Sequence, residues 1–205
     1  TPELVALAGQ AEARGMTILP ELGLDPGIDL VLLGQAVRNM ERVTGITTYG
    51  AGVPELAAAD NPLRYKVSWT FEGVLKSYHR AGRLIRDGAT VQVAADEQFH
   101  PDHVHQVHIP GLGTLEAFPN GDALLLANVL GLNPAELHTL GRYTLRWPGH
   151  SAFWRTVAEL GLLDDEPIIL DGRDIDRKRY LAAAIEPRLQ YAADERDIVI
   201  VRVQV

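Results

Sequence analysis

The run Gly141-Arg142-Tyr143-Thr144-Leu145-Arg146-Trp147-Pro148-Gly149-His150 is the richest in chemistry along the chain. Read as a strand over residues 142–147, it turns Thr144 and Arg146 to one side and Tyr143, Leu145 and Trp147 to the other, because successive side chains alternate. One face then carries a hydroxyl beside a guanidinium. The guanidinium fork can donate two parallel hydrogen bonds, which suits it to a carboxylate. An exposed strand face with a solvated arginine fits the local pattern equally well.

Other constellations have simpler readings beside their chemical ones. Gly23-Leu24-Asp25-Pro26-Gly27 joins a short apolar strand to a helix. A helix start offers free backbone N–H groups and the positive end of the dipole, and Gly27 permits close approach, so the turn suits a cofactor or a carboxylate. The simpler reading is a well-capped helix, with Asp25 as cap and Pro26 at the first position. Glu116 and Asp122 bracket a turn as paired carboxylates, but Asp122 reads first as a helix cap. His100, His103, His105 and His108 fall close together, and His103 and His105 share a strand face. Two histidines are half a metal site, so a solvated strand is expected and no metal. Gly111-Leu112-Gly113 starts like a dinucleotide fingerprint, but Glu116 stands at the third glycine position.

These residues need a scaffold, and the 205-residue chain, 46% hydrophobic, is long enough to bury a sizeable core. With 19 Lys and Arg against 27 Asp and Glu, the net charge of −8 opposes nucleic acid and anionic membranes. No apolar run reaches the length of a spanning helix, and the absence of cysteine excludes disulfides and thiolate metal sites and fits a cytoplasmic setting. Spacing predicts helices over 1–15, 25–45, 71–80, 122–130, 151–160 and 174–189. The helix over 151–160 places Phe153, Val157 and Leu160 on one face. Strands are expected over 16–22, 45–50, 65–69, 104–109, 114–118, 142–147 and 197–205. Asp87-Gly88 closes a hairpin between 83–86 and 89–93, because that pair tolerates the positive φ of a tight primed turn. Strands in adjacent groups with helices inserted predict an α+β fold, with a mostly antiparallel or mixed β-sheet covered by helices. The start at Thr1 and the end on a strand suggest a piece of a longer protein.

Taken in order, the segments Gly23-Leu-Asp-Pro-Gly-Ile-Asp29, Gly52-Val-Pro54, Asn61-Pro-Leu-Arg-Tyr-Lys66, Ser68-Trp69, Gly73-Val-Leu75, Leu115-Glu-Ala-Phe-Pro-Asn120, Thr144-Leu-Arg146, Pro148-Gly-His150 and Glu195-Arg-Asp197 resemble the saccharopine dehydrogenase family, with the related lysine 6-dehydrogenases. The resemblance implies an oxidoreductase that uses NAD or NADP on a C–N bond of a small amino acid in lysine metabolism, working as a homodimer. It implies residues 1–24 as the last helix and strand of a truncated Rossmann domain, and 25–205 as the inserted substrate-binding and dimerisation domain. By the same pattern Leu24, Asp25, Pro26 and Gly27 would lie against the cofactor, and Thr144, Leu145 and Arg146 would bind substrate. Tyr143 and His150 are the candidate proton-transfer groups. Saccharopine enzymes commonly carry Pro-Asn-Arg-Asp where this chain has Pro119-Asn120-Gly121-Asp122, so one substrate carboxylate contact is expected to be missing. These residues alone are expected to be inactive. A noncatalytic dimerisation or interaction domain that keeps the family fold is the alternative.

Overall fold

The computed structural model describes residues 6–19 and 22–205. Its strands are β1 (Gly45–Pro54), β2 (Gly82–Arg86), β3 (Ala89–Val93), β4 (His105–Ile109), β5 (Gly113–Pro119), β6 (Thr139–Arg146), β7 (Ile168–Leu170), β8 (Arg173–Ile175) and β9 (Asp197–Gln204). The helices are α1 (Ala8–Ala13), α2 (Ile28–Arg38), α3 (Phe71–Ser77), α4 (Leu124–Leu130), α5 (His150–Glu159) and α6 (Arg177–Ile185). The fold is α+β, and the sheet is mostly antiparallel, as expected.

Strand β6 is the centre of the sheet. It lies parallel to β1, with Gly45 opposite Thr139 and Gly50 opposite Thr144, and this is the one parallel pair among the described residues. Its other edge is shared: β2 pairs at its start, with Ile85 opposite Leu140, and β5 pairs at its end, with Pro119 opposite Tyr143 and Glu116 opposite Arg146. β9 continues the sheet beyond β1, and β4 continues it beyond β5. Strand β4 is then reached from the other end of this run by side chains of β9 and β1. Arg202 of β9 donates from Nη1 to the His108 carbonyl of β4 at 3.3 Å, and Tyr49 of β1 bonds His105 of β4 at 3.2 Å. The run β4-β5-β6-β1-β9 is therefore strongly curled.

Alternation along the strands sorts the core. Tyr49, Ala51, Val53, Val107, Leu115, Ala117, Tyr143, Leu145 and Trp147 fill the inside of the curl. On the opposite face, α2 and α4 cover Ile46, Ile85 and Leu140 with Leu33, Leu126 and Ala127. Further along that face, α3, α5 and α6 enclose an aromatic core of Tyr65, Phe71, Tyr78, Phe99, Phe118 and Trp154. Among the described residues no helix is long and apolar enough to cross a membrane.

The Asp87-Gly88 hairpin forms as its chemistry requires, with φ of 52° and 77°. The same pair at Asp171-Gly172, with φ of 51° and 73°, closes the unexpected hairpin β7–β8, which takes the front of the helix expected over 174–189. Residues 16–19 and 65–69 are not strands. At the second, Asn61 folds the chain by accepting from the amides of Leu63 and Tyr65, which leaves Val67 bonded to the Leu189 carbonyl rather than to a neighbouring strand. Helix α2 begins at Ile28, not Pro26, and ends at Arg38. In α5 the buried side is His150, Trp154 and Ala158, while Phe153 and Leu160 are exposed. Residues 1–5 of the helix expected over 1–15, and residues 20 and 21 of the strand expected over 16–22, lie outside the described residues.

Candidate functional site

Strand β6 presents Arg142, Thr144 and Arg146 to the helical side and Tyr143, Leu145 and Trp147 to the inside of the curl. Arg146 is 7% exposed, a strongly buried cation. Its guanidinium lies 4.9 Å from the Tyr65 ring centre. Nε donates to the Tyr78 hydroxyl at 3.1 Å, and Nη1 donates to the Leu145 carbonyl at 2.9 Å. No carboxylate of the described residues pairs with it, although buried charges are ordinarily paired.

The hydrogens of this chain of bonds can be assigned by elimination. A guanidinium only donates, so the Tyr78 oxygen accepts from Arg146 and its own hydrogen goes to His150 Nε2, 2.8 Å away. His150 is then the neutral tautomer with its hydrogen on Nδ1, facing the Leu63 carbonyl at 3.5 Å. Burial first, and the Arg146 cation second, push the His150 pKa well below its ordinary value. Burial likewise raises the Tyr78 pKa. The three side chains form a fixed, uncharged support for one guanidinium.

Beside them the sheet floor is bare. Gly50 and Gly52 of β1 share the face of Thr144, and a Cβ at Gly50 would lie 2.5 Å from Asp25 Oδ2, while one at Gly52 would lie 3.2 Å from Ser68 Oγ. Asp25 stands over Gly50 because Arg142 holds it, Nε donating to Oδ1 at 2.9 Å and Nη2 to the same oxygen. Near Arg146 a hollow of about 230 Å³ opens between Val67, Ser68, Tyr191, Glu195 and Asp197. The Tyr191 hydroxyl is buried there without a partner among the described residues. Burial, then Asp197, pushes its pKa up to about 12. Glu195 is occupied by Lys66, at 2.5 and 2.6 Å.

The glycine turn differs from expectation. Its amides are consumed internally: Gly27 donates to Asp29 Oδ1 at 2.7 Å, Ile28 to the Gly23 carbonyl and Asp29 to the Leu24 carbonyl. They are therefore not free for an anion. Asp25 is a clamp on Arg142 rather than a cap, and Pro26, joined to it by a cis peptide bond, precedes the helix. Leu24 is half-exposed and offers an apolar surface.

Of the expected site residues, Thr144 and Arg146 share a face, and His150 reaches Arg146 through Tyr78. Tyr143 lies on the far side of the sheet, stacked on Tyr49 at 5.5 Å and edge-on to His105 at 4.6 Å. Leu145 is fully buried in the curl and meets Arg146 through its carbonyl alone. The carboxylate pair is parted. Glu116 accepts the Gly149 and Ser151 amides at the start of α5, at 2.6 and 2.9 Å, while Asp122 accepts the Leu124 amide and pairs with Arg83. Among the described residues no group of three or more His, Asp or Glu could hold a metal. Gly121, where an arginine was expected, has Arg80 lying across it: a Cβ there would sit 3.3 Å from Arg80 Nε, and Arg80 Nη2 donates to Asn120 Oδ1 at 2.8 Å. Burial, then Arg142, lowers the Arg80 pKa, although the residue keeps an exposed surface. Tyr65, Tyr78, Tyr191 and Arg80 had not been singled out. Phe71, Val74, Leu75 and Tyr78 read as a plain apolar helix face, and only the need of a buried hydroxyl for a partner marks Tyr78.

Fold and site thus define an α+β domain whose central strand carries an unpaired buried arginine on its helix-covered face. Residues 23–205 match the model for the saccharopine dehydrogenase C-terminal domain, and the chain belongs to that family. It is 34% identical over 170 residues to the mitochondrial alpha-aminoadipic semialdehyde synthase of Mus musculus, covering 81% of this chain and 18% of the relative. To the saccharopine dehydrogenase [NADP(+), L-glutamate-forming] of Saccharomyces cerevisiae it is 29% identical, covering 81% of this chain and 37% of that one. The chain therefore spans a small part of the curated relatives it matches. The solved apo saccharopine dehydrogenase (L-Glu forming) of Saccharomyces cerevisiae shares the fold, with a TM-score of 0.80 at 23% identity over 99% of this chain and 59% of that one.

Proposed function

We propose that this domain holds the amino-acid substrate of a nicotinamide-dependent oxidoreductase acting on a C–N bond in lysine metabolism. Arg146 takes a substrate carboxylate and Thr144 lies beside it. The observation that carries this reading is a buried guanidinium, aimed by Tyr78 and Tyr65, that no carboxylate of the described residues neutralises. The NADP(+) in the fungal relatives' names favours NADP over NAD. Bound nicotinamide would supply hydride exchange at the substrate's amine or imine carbon. Half-exposed Leu24 suits the flat ring of that cofactor, and the internally satisfied turn amides do not suit its phosphates.

The chain's own residues have separable tasks. Asp25 fixes the Gly23–Gly27 turn over Arg142, and the lack of side chains at Gly50 and Gly52 lets Asp25 and Ser68 pack down on β1 beside Thr144. His150, neutral and bonded to Tyr78, positions Arg146 rather than moving a proton. Arg80 over Gly121 supplies a guanidinium where the family motif has one, so a substrate with a second carboxylate is accommodated. The expected homodimer belongs to this reading. In a full-length enzyme, Arg146→Ala should raise KM for the amino acid at least tenfold, since charged hydrogen bonds are worth about 1.5–3 kcal/mol. Arg146→Lys should recover part of that loss, and an unchanged KM in Arg146→Ala would overturn the assignment.

A further inference from the structure

The inside of the curled sheet has two unlike ends. At the C-terminal ends of β1 and β6, Trp147 is the plug: its Nε1 donates to the Pro54 carbonyl at 2.9 Å, and Arg64 lies 5.3 Å from its ring. The other end is open, leaving a cavity of about 370 Å³. Its lining includes Thr47, Tyr49, Arg86, His103, His105 and Tyr143. We propose that this mouth is a second binding site, for a small organic carboxylate carrying a flat ring.

The mouth lies on the face of β6 opposite Arg146, so it is separate from the substrate site by the thickness of the sheet. Its volume falls within the range of about 300–1,000 Å³ usual for small-molecule sites. Tyr49 and Tyr143 stack at 5.5 Å, and His105 stands edge-on to both, at 5.9 and 4.6 Å. Such a wall accepts a ring by stacking or by its edge. The Tyr143 ring lies back along its own strand because residue 141 is glycine: a Cβ there would come within 2.8 Å of the Tyr143 hydroxyl.

The polar groups at the rim select an anion. Arg86 donates from Nη2 to the Asp102 carbonyl at 3.0 Å, and its Nε and Nη1 have no acceptor among the described residues. With the second Nη2 hydrogen, one of these completes a parallel N–H pair along an edge of the guanidinium, which a carboxylate can take. His103 adds a buried Nδ1 that has no partner among the described residues. Thr47 and Thr139 bring hydroxyls from the starts of the two parallel strands. The Asp102 carboxylate, also at the rim, is 78% exposed and lies 3.5 Å from His100 Nδ1, turned to solvent and not to Arg86. Cation, orphan imidazole and aromatic wall together fit an anionic head on a flat body.

The test is a titration of this chain with sodium benzoate, followed by NMR of the histidine ring resonances. His103 and His105 should shift saturably while His150, on the other face, stays still. Acetate should bind at least tenfold more weakly, and Arg86→Gln should weaken benzoate at least tenfold with the native circular dichroism retained. Arg86→Lys, which keeps the charge and loses the fork, should fall between the two. The site is refuted if His103 and His105 show no saturable shift, if only His150 responds, if acetate binds as well as benzoate, or if Arg86→Gln binds benzoate like the native chain.

Discussion

Replacing Tyr78 by Phe removes one oxygen and leaves the ring, so its contacts with Phe99, Trp154 and Phe118, at 5.2, 5.3 and 5.6 Å between centroids, remain. What is lost is the acceptor for Arg146 Nε and the donor to His150 Nε2. A bond to a charged donor is worth about 1.5–3 kcal/mol and a neutral one about 0.5–1.5 kcal/mol, so the expected loss is about 3 kcal/mol. For a domain of this size that lowers Tm by about 6–12 °C. Urea unfolding of both proteins at pH 7.5 measures it directly, provided the slope with denaturant is unchanged. Tyr65→Phe is the matched control, because the Tyr65 hydroxyl is buried without a partner among the described residues and its removal should be neutral or stabilising. The support assigned to Arg146 is wrong if Tyr78→Phe lies within about 0.5 kcal/mol of the native chain, or if Tyr65→Phe loses as much.

Three further outcomes are expected. His150 has a native pKa well below 6.5, so below pH 6.5 the unfolded chain takes up a proton that the folded chain refuses. Stability is therefore full above that pH and falls as pH drops toward the native value, by up to about 1.4 kcal/mol per pH unit. His150→Asn should flatten that part of the stability profile, and an unaltered slope would contradict the buried neutral imidazole. Asp25→Ala leaves Arg142 without its carboxylate, and breaking such a largely buried pair should destabilise by about 3 kcal/mol in thermal unfolding. Gly141→Ala should cost about 1–3 kcal/mol and displace the Tyr143 ring, visible as a loss of the near-ultraviolet tyrosine signal.

Much of the scaffold was legible because it is written in short-range chemistry. The hairpin at Asp87-Gly88, the alternation over residues 142–147 and the existence of α2 and α5, though not the side that α5 buries, each depend on neighbours in sequence. Failures came where distant groups decide. Asp25 has every property of a cap, yet it serves Arg142, 117 positions away. Residues 65–69 have strand composition, but Asn61 folds them aside and Leu189 takes the Val67 amide. Glu116 and Asp122 look paired along the chain and are drawn apart by the start of α5 and by Arg83. For the site, Thr144 and Arg146 could be read from one strand. The groups that aim the arginine come from the loop at Tyr65, the end of α3 and the start of α5 and meet only in the folded core, so no local spacing announces them.

One strand serves two hollows by the parity of its residue numbers. Even positions of β6 carry Arg142, Thr144 and Arg146, while odd ones carry Gly141, Tyr143 and Leu145. Inserting or deleting a single residue within β6 would send the guanidinium of Arg146 into the apolar curl and bring an aromatic ring up beneath the helices. No single side-chain replacement would disturb both sides in that way. The length of this strand is thus a stricter requirement than the identity of most residues in it, and a scan of one-residue insertions and deletions should find β6 intolerant while the exposed β7–β8 turn accepts them.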